Sequence, residues 1–190
     1  MIRRLAIHKL REWRCSEDRK PLIIRGVRQV GKTTLVKEFA KEFDVFLHLN
    51  LERSKDSELF ETTDDVAQLL QSIYFHKKQE KKDGSVLLFI DEIQNSKKAV
   101  AMLRYFYEEA PEVHVIVAGS LLETVMDVRK ISFPVGRVEF MSLRPCSFLE
   151  FLGGLGEDFD KELVENFNVE SVVHDRVMRL FREYVLVGGM

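Results

Sequence analysis

Apolar and polar positions follow two rhythms along the chain. Consecutive apolar residues mark strands, and apolar residues three and four apart mark helices. The stretch SVLLFIDE, closing at Glu92, is the strongest strand candidate, because Val86 to Ile90 are all apolar. VHVIVAGS, closing at Ser120, is a second continuous run. Strands without alternation are buried on both faces, as in the centre of a parallel sheet. PLIIRG at Pro21 to Gly26, VFLHLNL at Val45 to Leu51 and VEFMSL at Val138 to Leu143 complete five strand candidates.

Helical spacing fills the intervals. Ile2, Leu5, Ala6, Leu10 and Trp13 form one stripe of an amphipathic N-terminal helix. Thr33 to Phe43 carries Leu35, Val36, Phe39, Ala40 and Phe43. From about Asp56 to Lys77, helical spacing is interrupted near Thr62 to Asp64, where Thr63, Asp64 and Asp65 supply N-cap chemistry. Lys97 to Glu109 turns Val100, Leu103, Phe106 and Tyr107 inward, and a short helical piece follows Ser120. RPCSFLEFL opens a further helix, with Ser147 and Glu150 spaced as a capping box. A last helix, about Val169 to Val187, places Val173, Val177, Leu180, Phe181 and Tyr184 on one face.

Strands and helices in βα order argue for a parallel sheet with helices on both faces. Ligands bind such sheets at the carboxyl ends of the strands. Gly26 to Thr33, Asp91-Glu92 and Gly119-Ser120 fall there.

Composition narrows this picture. A chain of 190 residues, 45% hydrophobic, can build one sizeable core with a small appendage. Residues 1–145 read as the core with its N-terminal helix. Residues 146–190 read as C-terminal helices, the start of a lid cut short, because Gly188-Gly189 near the end resembles an interrupted turn. The formal charge of −2 gives no global field for nucleic acid or membrane. The charged loop HKKQEKKDG reads as a solvated surface. No apolar run approaches the roughly 18 residues of a membrane helix. The N-terminus has no long apolar core or cleavage site of a secretory signal. Cys15 and Cys146, far apart and without histidine partners at metal spacing, read as reduced thiols of a cytoplasmic protein.

The chemistry concentrates in Gly26-Val27-Arg28-Gln29-Val30-Gly31-Lys32-Thr33, a complete G-x-x-x-x-G-K-[ST] motif between a strand and a helix. Its glycines permit backbone angles that turn successive N–H groups inward onto phosphate oxygens. The following helix adds its positive end. Lys32 supplies a flexible charge for the β- and γ-phosphates, Thr33 a hydroxyl for Mg²⁺, and Thr34 a second hydroxyl within reach of the α-phosphate. Arg28 points outward, to solvent or a partner. A carboxylate at the end of a buried strand needs a partner, and for Asp91 a Mg²⁺ beside Thr33 is that partner. Glu92, at the strand's lip, is placed to polarise an attacking water, or else to form a surface ion pair or cap the next helix. Ser120 either bonds the water or phosphate or caps the helix after it. Arg137, on a loop beside Gly136, either approaches phosphate in its own or a neighbouring chain or is simply ion-paired. Asn50 and Glu52 lie on the same sheet edge without an assigned task.

GVRQVGKTTL, LLFIDEIQ, VIVAGS, GRVEFMSLRPCSFLEFL and VLVGG resemble, in order, landmarks of the bacterial and archaeal AAA-type P-loop ATPases whose loop reads G-x-R-Q-V-G-K-T. The resemblance covers about residues 20 to 189. It implies a three-layer α/β/α fold of the P-loop NTPase class, with a five-stranded parallel sheet of order 5-1-4-3-2 and a partial C-terminal helical region. It also implies an ATPase that uses ATP and Mg²⁺, weak as an isolated fragment. Lys32 and Thr33 would bind phosphate and Mg²⁺, Asp91 would hold Mg²⁺, and Glu92 would activate water. Ser120 falls at the sensor 1 position, where serine departs from the usual asparagine, and Arg137 falls on the branch's Gly-Arg landmark. A C-terminal domain, a homo-oligomer and, by analogy, nucleic acid are the partners it implies. A nucleotide-dependent switch with little hydrolysis is the alternative.

Overall fold

The structure, a computed structural model, describes residues 2–81, 83–119, 132–166 and 171–189. Strands β1 (Leu22–Arg25), β2 (Val45–Asn50), β3 (Val86–Asp91), β4 (Val113–Ala118) and β5 (Glu139–Ser142) form one sheet of order β2-β3-β4-β1-β5. All four pairings are parallel. This is the order implied by the resemblance, read from the opposite edge. Every residue of β3 and β4 is buried. Edge strand β2 alternates buried and half-buried positions, so the unbroken apolar runs are the central strands.

Helices α1 (Ala6–Arg14) and α2 (Lys32–Phe39) cover one face; α4 (Val66–His76) and α5 (Lys97–Glu109) cover the other. Side chains that alternate along a strand serve opposite faces. Leu87 and Phe89 pack with Leu10, Trp13, Leu35, Val36 and Phe39. Leu88 and Ile90 pack with Leu69, Ile73, Val100, Leu103 and Phe106. Tyr107, expected inward, is half-buried and donates its hydroxyl to Asp18 at 2.6 Å.

The interrupted helix is two pieces. Helix α3 (Ser54–Glu58) runs into a 3₁₀ turn, Leu59–Glu61, before α4 begins. Asp65 is the N-cap of α4, accepting the Gln68 N–H at 2.8 Å. The buried carboxylate of Asp56 fastens these pieces to the sheet. It accepts the backbone N–H of Asn50 and bonds to His76 and Lys77, all within 2.8 Å.

The C-terminal part is helix α6 (Phe148–Leu155), α7 (Asp158–Glu165) and α8 (Ser171–Val187). Both halves of the Ser147–Glu150 capping box are present. Helix α7 is not among the expected elements, although Phe159 and Leu163 stand four residues apart in it. Its eight residues, DFDKELVE, are mostly charged, and its fixed point is the buried Asp160, which faces Arg176 of α8 at 3.0 Å. Phe148 and Phe151 of α6 meet Phe181 and Tyr184 of α8 ring against ring.

Candidate nucleotide site

The phosphate loop leaves β1 at its carboxyl end and runs directly into α2. Gln29 (φ 65°) and Gly31 (φ 96°) both occupy the left-handed region. They flank Val30, an alternation of backbone handedness from which anion-binding nests are built. Gly31 is the N-cap of α2 and offers no side chain, so the helix's first N–H groups carry no side-chain cap. Lys32 is buried, and its Nζ donates to the carbonyls of Gly26 (2.8 Å) and Val27 (3.0 Å). Burial lowers its pKa from the usual lysine value, while the charges of Glu92 and Asp91 oppose that shift. Val27, Arg28, Gln29 and Thr34 are exposed, so Arg28 does face outward.

The acidic pair meets the loop from β3, two strands away. Thr33 Oγ1 donates to Asp91 Oδ2 at 2.7 Å, although the two residues are 58 positions apart. Asp91 is 6% exposed, and its other oxygen accepts the Glu92 N–H at 3.1 Å. A hydroxyl and a carboxylate oxygen side by side fit a magnesium ion that completes its shell with water and phosphate oxygens. Among the described residues no group of three or more His, Cys, Asp or Glu could hold a metal by itself. Glu92 sits in the left-handed region (φ 54°, ψ 47°), an uncommon place for a glutamate. Gln94 Nε2 donates to its Oε2 at 2.5 Å.

The ends of β1, β3 and β4 are neighbours, since Ile24 pairs with Ala118 and Ile90 with Val117. The buried Gly119 follows β4 at this edge; Ser120 and the short helical piece after it lie outside the described residues. Arg137 is elsewhere. It precedes β5, and Glu139 pairs with Leu22, so Arg137 stands at the amino end of the sheet. The length of β1 separates it from the loop, roughly 13 Å at 3.3 Å per residue. Its guanidinium faces Glu108 at 2.7 Å, which holds the carboxylate of Glu108 below its usual range. Within its own chain Arg137 is an ion-paired residue at the opposite edge of the sheet from the phosphate loop. Asn50, opposite Asp91, bonds through its side chain to the Glu52 N–H at 2.9 Å.

Three contacts were not legible as site features. Gln94 is one, although it lies only two positions after Glu92 in LLFIDEIQ. Arg4 is the second: its guanidinium donates to Val30 O of the loop (2.9 Å), Arg144 O (2.5 Å) and Glu150 Oε1 (3.1 Å). The third is the seat of Gly26, where a Cβ would come 2.6 Å from the Leu143 carbonyl oxygen. Two of these link residues more than a hundred positions apart, beyond any local pattern.

A parallel sheet of this order, with a G-x-x-x-x-G-K-[ST] loop joining β1 to α2 and an acidic pair at the end of β3, defines the P-loop NTPase class. The chain belongs to the AAA domain family, which matches residues 18–152. It is similar in fold to the Walker-type ATPase of Pyrococcus abyssi, at 18% identity and a TM-score of 0.52, covering 98% of this chain and 72% of that one. It is also similar to the Drosophila ORC bound to DNA, at 17% identity and a TM-score of 0.56, covering 96% of this chain and 56% of the other. No curated protein matches the sequence. Among the described residues no helix is long and apolar enough to cross a membrane.

Proposed function

We propose that the chain binds ATP with Mg²⁺ and hydrolyses it to move an attached or partner domain. The 2.7 Å apposition of Thr33 and Asp91 carries this reading, because it joins the phosphate loop to a metal-binding carboxylate. In it, the loop's N–H groups and Lys32 hold the phosphates. Lys32 donates to two carbonyls of the loop, and its flexible stem would let the same charge serve a γ-phosphate. Thr33 and Asp91 hold the ion, whose chemistry is to neutralise phosphate charge. Glu92 takes the proton of the attacking water. Ser120 and Arg137 keep the roles suggested by their motifs, Arg137 only towards a neighbouring copy and only after leaving Glu108.

The test is turnover of Mg-ATP by wild type and Glu92→Gln. The variant binds but loses on the order of 10²–10⁴-fold in rate, the usual contribution of a positioned base. Equal turnover removes Glu92 from the mechanism.

A second reading, a nucleotide-dependent switch with little hydrolysis, draws on the Gln94 contact. An amide donating to Glu92 Oε2 engages one of the two oxygens that could take the proton and holds the carboxylate in place. Nucleotide-dependent association without phosphate release favours the switch. The fold likeness to an ORC bound to DNA motivates one further assay, a salt-dependent shift of DNA mobility. No shift at low salt removes DNA from the proposal.

A further inference from the structure

The phosphate loop is tied to the segment that leads into α6 at both ends, directly at its start and through Arg4 at its far end. At its start, Gly26 lies against the Leu143 carbonyl so closely that a Cβ would stand at 2.6 Å. At its far end, Val30 lies between the two left-handed turns at Gln29 and Gly31. In a nest the N–H groups converge on the concave side, and carbonyls are left on the convex side. Val30 O is such a carbonyl, and it accepts Arg4 Nη1 at 2.9 Å.

Arg4 does not end there. The same guanidinium bonds Arg144 O and Glu150 Oε1. Glu150 is 6% exposed, and its two oxygens accept the Leu5 N–H (2.6 Å), the Ser147 N–H (2.8 Å) and Arg4 Nε. Burial alone would raise its pKa, but those N–H groups and Arg4 together hold it below the ordinary glutamate value. Ile2 lies on Gly154 at the other end of α6, 2.7 Å from where a Cβ would stand. Residues 2–5 therefore cross α6 along its length and finish on the back of the phosphate loop. Helix α6 is fastened in turn to α8 through Phe148, Phe151, Phe181 and Tyr184, and through the Tyr184 hydroxyl on Cys146 O at 2.6 Å.

We propose that this N-terminal strap, Ile2 to Leu5, ties the state of the phosphate loop to helices α6 and α8, with Arg4 as the positioning residue. The inference rests on the reading of the loop as a nucleotide site. A ligand that draws the loop's N–H groups inward fixes the orientation of the Val30 carbonyl and thereby the Arg4 fork. The fork holds Arg144 and Glu150, the latter within the first turn of α6. A planar guanidinium serves three acceptors at set angles, which a lysine cannot do. The coupling is reciprocal, so loosening α6 weakens nucleotide by the same factor that nucleotide tightens α6.

The experiment is amide exchange over residues 147–155 of the 190-residue chain, with and without the Mg²⁺ complex of a non-hydrolysable ATP analogue. Wild type gains protection there on binding. Arg4→Ala, Arg4→Lys and Glu150→Gln lose that gain and bind the analogue about 10-fold more weakly, within the usual range of coupling between sites. Circular dichroism reports which variants fold, and Arg4→Lys carries the test if Arg4→Ala does not. A purely structural role for Arg4 would lower protection with and without nucleotide alike and leave the gain intact, which overturns the proposal. Wild type that binds without any gain over residues 147–155 also overturns it and leaves the nucleotide site standing. Wild type that does not bind the analogue overturns both.

Discussion

Replacing Gly26 by alanine tests whether the phosphate loop is seated where the structure places it. The backbone at Gly26 is outside the left-handed region, so alanine meets no conformational penalty there. The obstacle is space. The new methyl would lie 2.6 Å from Leu143 O and 3.1 Å from Val30 Cγ1. The first contact must open by about 0.4 Å to reach even 3.0 Å, a limit real Cβ atoms essentially respect. Leu143 has little room to give. It is 4% exposed, and its N–H donates to Arg25 O at 2.7 Å, continuing the β1–β5 ladder. The strain falls on β5 and on the loop, where Gly26 O also carries Lys32. Overpacking of this kind costs about 1–3 kcal/mol. At about 2–4 °C per kcal/mol for a domain of this size, the melting temperature falls by roughly 2–12 °C. Displacement of Lys32 weakens Mg-ATP about 10-fold or more, since 1.4 kcal/mol is a factor of ten. Thermal melts and calorimetric titration of an ATP analogue measure both. A variant with unchanged melting temperature and affinity refutes the tight seat of Gly26 on Leu143, and with it the account of the loop as fixed from behind.

Two further outcomes concern elements away from the loop. His114 is buried among Trp13 and Phe43, and burial lowers its pKa from 6.5 to about 4, with Arg19 and Arg14 adding to the shift. The folded chain disfavours the protonated ring, so this contribution is full above pH 6.5 and falls as pH drops towards 4, by a few kcal/mol at most, at about 1.36 kcal/mol per unit. Urea unfolding across that window, with His114→Gln as the flat control, checks it; a wild-type profile as flat as the control counts against a buried neutral histidine. Gly153, exposed on α6, has nothing nearer than Lys161 Cδ at 3.7 Å to a new Cβ. Gly153→Ala therefore stabilises by about 0.5–1 kcal/mol through helix propensity, and a lower melting temperature contradicts this.

The parts of the molecule visible in the sequence are those whose physics is local. Val86 to Ile90 and Val113 to Ala118 announce central strands because every position but His114 is apolar. The phosphate motif fixes a strand–loop–helix junction, and Ser147 with Glu150 fixes a helix start within four residues. Helix α7 carries only a two-turn apolar stripe, Phe159 with Leu163 and Val164, too short to separate from a loop, and Asp160 gains its meaning only opposite Arg176. Arg137 illustrates how sheet direction limits a reading based on neighbours in sequence. It enters a strand rather than leaving one, and in a parallel sheet all entries lie at one edge and all exits at the other. Arg4 was unreadable for another cause: its carboxylate partner is 146 positions away, and nothing in MIRRLAIHK separates Arg4 from Arg3.

Glu92 has a consequence for how such a chain can vary. At φ 54° a side chain other than glycine or asparagine carries local strain, of order 1–3 kcal/mol. Random substitution at this position therefore has a cheap direction, towards glycine, that relaxes the backbone and discards the carboxylate. A lineage selected only to stay folded would drift that way. Keeping glutamate at a strained turn demands steady selection for the carboxylate itself, so an alignment of descendants should divide at position 92 between chains still under that demand and chains released from it.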